Sequence, residues 1–337
     1  MKQAGEGNAG GSVWLFDPTR LVPGDVVLEQ GSGWVSRVIR IADQGRFSHA
    51  LLWLGNTDFI EATDGGARVI AFARVQIHDP ANWVLLRHPE AEVAARAARE
   101  ARNLAHKHYD TVGAVSTKIP IRAQPDPCML FCSQLVAEAY ARAGSGLVPG
   151  TSSSQVTPNM LALRSALERV SELPVIEQDR GAEQVDRDEA YAGAAPHREM
   201  IMSQEVMAAL GPGLAALTSR PGSLGELFAA LAREGSAASA LADDLLSELG
   251  ARGYFDHFKP ALADIQGDLV LKGSPPMFVV NSWRAAADRY AQEGAACRLL
   301  EHAIGHPLWT RLAEMYEAFS LGLRAVAHLA EAGHERG

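Results

Sequence analysis

The hydrophobic pattern changes period part-way along the chain, and this change limits the possible folds more than any other feature. Up to about residue 172, apolar residues fall in short runs closed by turn signals. Asp25-Val26-Val27-Leu28 follows Pro23-Gly24, and Ala50 to Leu54 ends at Gly55-Asn56. Phe59 to Thr63, Ala67 to Phe72 and Trp83 to Leu86 are further runs. Runs of this length bounded by Gly, Pro and Asn read as strands, and Asp64-Gly65-Gly66 reads as a hairpin turn. Helical spacing interrupts them at Trp34 to Ala42, at Ala91 to His108, and from Phe131-Cys132 to about Gly144. A further helix is expected after Thr157, a suitable N-cap, with Pro158 at its first position. From about Ser203 to Ala332 the spacing is helical throughout: Val206, Leu210, Leu214 and Leu217, then Leu224, Leu227 and Leu231, then Leu241, Leu245 and Leu249. Residues 173–200 between the halves are polar, show no apolar period and are expected to be a linker or loop. The expected fold class is α+β. A small, mostly antiparallel sheet with helices over 13–172 is followed by the linker 173–200 and an all-α bundle over 201–334.

Composition narrows the function classes. The chain has 337 residues, 47% hydrophobic and 21% charged, with a formal net charge of -9. Residues 1–172 carry 17 basic against 17 acidic side chains, and residues 173–337 carry 14 against 23, so the acidic excess belongs to the helical half. No basic stripe tracks a phosphate backbone, so nucleic acid is not an expected partner. No window offers about 18 consecutive apolar residues, so no transmembrane segment is expected. Three cysteines cannot build a disulfide framework, and Met1 to Ser12 lacks the pattern of a secretory signal. The expected location is cytoplasmic, or outside the cell by a route without a cleaved signal.

Chemistry concentrates on a few residues of the first half. Cys132 opens a helix whose apolar face is Leu135, Val136, Ala139, Tyr140 and Ala143. The free N–H groups and dipole of a helix start stabilise a thiolate, and the same groups can hold an oxyanion. His49 stands directly before the buried run Ala50–Leu54, and Glu61 lies on the next strand, where it can orient the imidazole. Asp25 reads as a structural turn residue. His106-Lys107-His108 and the pair His302 and His306 are weak metal candidates, and no metal or cofactor is expected. Cys297 reads as core.

Together these segments resemble a known family. Phe47-Ser48-His49-Ala50-Leu51-Leu52-Trp53-Leu54-Gly55, Phe59-Ile60-Glu61-Ala62, Tyr109-Asp110 and Phe131-Cys132-Ser133-Gln134-Leu135-Val136 resemble the circularly permuted NlpC-type papain-like cysteine hydrolases. The YiiX-like group looks nearest, and lecithin retinol acyltransferase is a more distant relative. The Pro23-Gly24-Asp25-Val26-Val27 run is similar to the family's opening strand, and Thr157-Pro158-Asn159 to the segment after its cysteine helix. The resemblance covers about residues 13–172 and implies a permuted papain-like domain. It also implies Cys132 as nucleophile, His49 as general base, Glu61 as the residue orienting it, and Tyr109 on the substrate or oxyanion side. Cys128, one helical turn before Cys132, and the long helical half depart from the pattern.

The function expected from this reading is a cysteine hydrolase, an amidase or peptidase or an acyl-ester hydrolase, working through an acyl-enzyme. Its substrate would be a peptide, an acylated amine or a lipid. Passing the acyl group to an alcohol or amine instead would make it an acyltransferase. A delivered toxin against cell wall or lipid fits the missing signal. A catalytically silent binding protein, with a protein partner on the helical half, and a redox pair of Cys128 with Cys132 are the competing classes.

Overall fold

The structure, a computed structural model, describes residues 13–31, 45–55, 58–63, 66–109, 129–178, 195–211, 213–218, 220–275 and 277–335. It is an α+β fold with a small antiparallel sheet and a helical C-terminal part. The central sheet takes β2 (Val26–Glu29), β3 (His49–Gly55), β4 (Asp58–Thr63), β5 (Gly66–Ala71), β6 (Trp83–Arg87) and β9 (Glu168–Arg169). Their order is β5-β4-β3-β2-β6-β9, with every neighbouring pair antiparallel.

The strands read as continuous apolar runs because both faces of this sheet are covered. Val26, Leu28, Ala50, Leu52, Ile60 and Leu86 face two helices, α1 (Ala91–Asn103) and α2 (Cys132–Arg142). The facing side of α1 is Ala94, Ala97, Ala98 and Ala101, small enough to let the helix lie close. Val27, Leu51, Trp53, Phe59, Ile70 and Leu85 point the other way and pack with Leu15 and Phe16 of β1 (Val13–Phe16). Aromatic rings meet there, Trp53 on Phe59 at 4.7 Å and Phe16 on Phe59 at 5.3 Å between centroids.

Pro23-Gly24-Asp25 is fixed by packing as well as by turn propensity. Gly24 has φ +95°, and a Cβ there would lie 2.4 Å from the Ala94 carbonyl oxygen. Only glycine allows α1 to approach the turn this closely. Tyr140 donates its hydroxyl to the Gly24 carbonyl at 2.7 Å. Asp25 is buried and takes Arg87 in both hands, Nε at 2.7 Å and an Nη at 2.6 Å, and accepts the Val22 N–H. Its role is structural, as a turn residue.

Two sequence expectations need correction. The helix expected over Ala91–His108 stops at Asn103, and His106 takes the left-handed region at φ +69°. The chain leaves the helix here because it is tied to β5: the His106 N–H donates to the Ala67 carbonyl at 2.6 Å and the Ala67 N–H to the Lys107 carbonyl at 2.8 Å. The histidines at 106 and 108 therefore do not share a helix. The expected linker opens with a strand, β10 (Val175–Gln178), paired antiparallel with β1. One side of this ribbon faces solvent, with Ile176 44% exposed, so the segment has too little apolar content to show a period. The helix expected over Trp34–Ala42 and Cys128 lie outside the described residues.

The helical half comprises α4 (Ala195–Ala209), α5 (Leu224–Glu234), α6 (Ser239–Ala251), α7 (Phe258–Lys272), α8 (Met277–Ile304) and α9 (Pro307–His334), while α3 (Pro158–Arg164) belongs to the first half. The leucine stripes of the sequence, Leu224, Leu227, Leu231, Leu245 and Leu249 among them, meet Leu308, Trp309 and Leu312 in one core. α8 and α9 turn at Gly305, with φ +73°, and His306 caps α9 by accepting the Leu308 N–H on Nδ1 at 3.1 Å. That accounts for His306 structurally. Cys297 is buried in this core, as expected.

The halves are docked through buried ion pairs. Lys107, 3% exposed, meets Glu226 at 2.8 Å, and Arg289 reaches Asp58 at 2.6 Å. Gly225 of α5 lies against Asn103, and Ser223 donates to the Asn103 carbonyl.

Candidate active site

Cys132 is the first residue of α2, directly after β8 (Met129–Leu130), which pairs in parallel with β7 (His108–Tyr109). Phe131 at the N-cap is extended and supplies no side-chain cap, so the first-turn N–H groups of α2 have no capping side chain beside the thiol. Cys132 is 4% exposed and is a free thiol.

His49 is the first residue of β3, opposite Glu29 of β2. In the β3–β4 pairing Leu51 stands opposite Glu61, which puts Glu61 diagonally across from His49, within reach of a long side chain. His49 Nε2 lies 2.9 Å from Glu61 Oε2. The same ring is coupled electrostatically to Cys132, which, like Glu61, favours its charged form. The structure thus brings the three expected residues His49, Glu61 and Cys132 into one chain of contacts. Tyr109 is placed by its backbone, paired with Leu130 two residues before the cysteine; its side chain lies outside the described residues.

The electrostatics favour a charged imidazole. Burial opposes the charge on His49, but hydrogen bonds and Coulombic attraction from Cys132 and Glu61 outweigh it and hold its pKa well above 6.5. Burial likewise works against a charged Glu61, yet the hydrogen bonds and charges of His49 and Arg68 bring it down to about 2. Glu29 on the other side of His49 is pushed upward by burial, an effect that His49 partly offsets.

Three further residues shape the site without having been singled out in the sequence. Arg68 donates Nε to Glu61 Oε1 at 2.9 Å and an Nη to the same oxygen at 2.7 Å, leaving Oε2 for the histidine. Its position was countable: in a two-residue hairpin Thr63 faces Gly66, so Glu61 faces Arg68. Glu29 was equally findable once β2 and β3 are paired. Asn159 of α3 had no such signal. Its Oδ1 accepts the Arg46 and Phe47 N–H groups at 2.7 and 2.9 Å, and its Nδ2 donates to the Phe47 carbonyl at 2.9 Å. It thereby fixes the backbone just before His49. Thr157 caps that helix as expected, accepting the Met160 N–H at 3.2 Å.

A cavity of about 390 Å³ adjoins the pair, lined by Glu29, His49, Glu61, Arg68 and Trp83 among others. Its apolar lining, Leu51, Ile70, Val75 and Trp83, belongs to the cluster on the sheet face turned away from α2, and Cys132 packs with the cluster on the α2 side. Residues 32–44 and 110–128, which precede the histidine and cysteine segments in sequence, lie outside the described residues. Among the described residues no group of three or more His, Cys, Asp or Glu side chains is arranged to hold a metal, and no helix is long and apolar enough to cross a membrane.

In comparisons with known proteins, no family model matches the chain and no curated protein is significantly similar to it. The chemistry of the site therefore has to be argued from its geometry. A thiol at a helix start, an imidazole coupled to it and a carboxylate behind the imidazole form an arrangement suited to nucleophilic attack on an acyl carbon.

Proposed function

We propose that the chain is a cysteine-dependent acyl-transfer enzyme, a hydrolase of an amide or ester bond in a peptide, acylated amine or lipid. The observation that carries this reading is the His49 imidazole, 2.9 Å from the Glu61 carboxylate and coupled to Cys132, which opens α2 with no side-chain cap beside it. An imidazolium next to a cysteine stabilises the thiolate that does the attacking. In the reaction, the Cys132 thiolate attacks the carbonyl carbon, and the oxyanion forms against the first-turn N–H groups of α2. His49 then gives its proton to the leaving amine or alcohol, and the acyl group stays on sulfur. Water, deprotonated by His49, releases the acid and restores the thiol. Glu61 keeps the ring oriented and stabilises its charge throughout. The order of the histidine, carboxylate and cysteine segments, which resembles that of permuted NlpC-type hydrolases, supports the same assignment. The burial of Cys132 favours a second outcome for the same intermediate, transfer of the acyl group to an alcohol or amine where water is scarce.

The test is the pH profile of iodoacetamide labelling at Cys132, followed by intact-mass analysis after incubation with acylated amines, esters and peptides. Labelling well below pH 8.5, the ordinary range of a free thiol, together with a mass-shifted acyl-enzyme, is the expected result. A labelling profile that rises only near pH 8.5 or above, with no adduct, would overturn the proposal.

A further inference from the structure

A second cavity lies where the two halves meet, and Cys132 is not among its lining residues. It has a volume of about 510 Å³, within the range of about 300–1,000 Å³ usual for small-molecule sites, and such sites favour domain seams. Its wall is part apolar, from Leu224, Phe228, Leu300, Trp309 and Leu312, and part charged. Four guanidinium groups line it, those of Arg74, Arg99, Arg102 and Arg289, against three carboxylates, Asp58, Glu199 and Glu293.

The charged part is unevenly matched. Arg289 and Arg102 share one carboxylate, Asp58, at 2.6 and 3.8 Å. Arg289 Nε is buried and has no hydrogen-bond partner among the described residues. A buried donor left unpaired is costly, and more so when the group is charged. Burial and the neighbouring charge of Arg289 push the Arg102 pKa down, while Asp58, Glu293 and Glu199 push that of Arg289 up, so both guanidinium groups stay charged. Glu199, 3.9 Å from His257, and Glu293 are the competing anions of the wall.

We propose that this seam cavity binds a small amphipathic monocarboxylate, its carboxylate on Arg289 Nε and the adjoining guanidinium groups and its apolar chain against Phe228, Trp309 and Leu312. Guanidinium groups pair with carboxylates in strong, charge-assisted hydrogen bonds, and the remaining wall suits a hydrocarbon chain. Ile70 and Arg74 line both this cavity and the one beside His49, so a ligand here abuts the candidate active site. Binding here does not involve Cys132, which is not among the lining residues.

The experiment is calorimetric titration of the full chain with decanoate, with 1-decanol and decylammonium as comparators. Saturable one-to-one binding of decanoate is expected, at least tenfold weaker in Arg289→Lys, which keeps a charge for Asp58, and lost in Ala229→Phe, which fills the space. Both variants are first checked for unchanged melting behaviour. Absence of saturable decanoate binding overturns the proposal, as does equal binding by decanol, tighter binding by decylammonium, or indifference to both substitutions. Cys132→Ala is expected to bind decanoate like the unaltered chain, so an unreactive Cys132 with decanoate binding intact would sink the hydrolase reading alone.

Discussion

Cys132 and Cys297 are almost equally hidden, 4% and 8% exposed, and each sits in the apolar core of its own half. Their neighbours differ. Burial pushes the Cys297 thiol up to about 12, with Glu293 and Glu317 adding to it and Arg298 opposing them. Cys132 has an imidazole held beside it by a carboxylate, at the start of a helix. On the proposed reading, depth in the core does not sort a reactive thiol from an inert one; the sign of the nearest charge does, because the reacting species is the anion.

The comparison can be broken at the seam, where the largest effect is expected. Glu226→Ala leaves Lys107 buried without its partner, a change that costs about 3–5 kcal/mol for a buried ion pair. Thermal melting should fall accordingly. Cys297, which lines the seam cavity, should gain iodoacetamide labelling while Cys132 keeps its own rate. Loss of reactivity at Cys132 alone would show that the halves are not independent in the way their cores suggest.

His49→Ala should slow labelling of Cys132 about 100-fold near neutral pH, the scale of a lost acid–base partner, and leave Cys297 unreactive in both proteins. Equal rates at Cys132 would erase the difference between the two thiols.

Glu61→Gln should reduce the rate at Cys132 about tenfold, since a hydrogen bond to a charged group is worth about 1.5–3 kcal/mol. It also has a pH signature. Glu61, lowered to about 2, stabilises the fold above its ordinary pKa of 4.5, and this is lost as the pH falls toward 2. His49, raised above 6.5, stabilises the fold below 6.5, and this is lost as the pH rises through its elevated pKa. The pair thus contributes most between about pH 4.5 and 6.5. Melting temperatures of the Gln variant should lie closest to those of the unaltered protein outside that window.

The smallest effect is expected at Asn159. Asn159→Ala removes three hydrogen bonds to the segment before His49 and should slow Cys132 labelling a few-fold, with melting lowered by about 1–3 kcal/mol equivalent. A change in melting without any change in labelling would mean that Asn159 holds the fold and not the histidine.

Much of the first half was legible because its signals are local. Turn residues bracket β2 to β5, a two-residue hairpin sets Glu61 against Arg68, and the apolar face from Leu135 to Ala143 places Cys132 at a helix start. The leucine stripes likewise announced the helical core. The strand pairs that build the ribbon of β1 and β10 were not legible, because 159 residues separate the paired Phe16 and Val175 and neither segment has a strong period. The end of α1 at Asn103 was missed for the same reason: the residues after it are tied to β5 and to the helical half.

Residue order and spacing by themselves determined the α+β class, the strands around His49 and Glu61, and the helix start at Cys132, since each depends on contacts within a few residues. Only the tertiary structure decided that one imidazole meets both the thiol and the carboxylate, that Asn159 reaches back 112 residues to Phe47, and that Arg289 crosses 231 residues to Asp58. Those contacts are chosen by how two cores pack against each other, and a spacing along the chain carries no record of that packing.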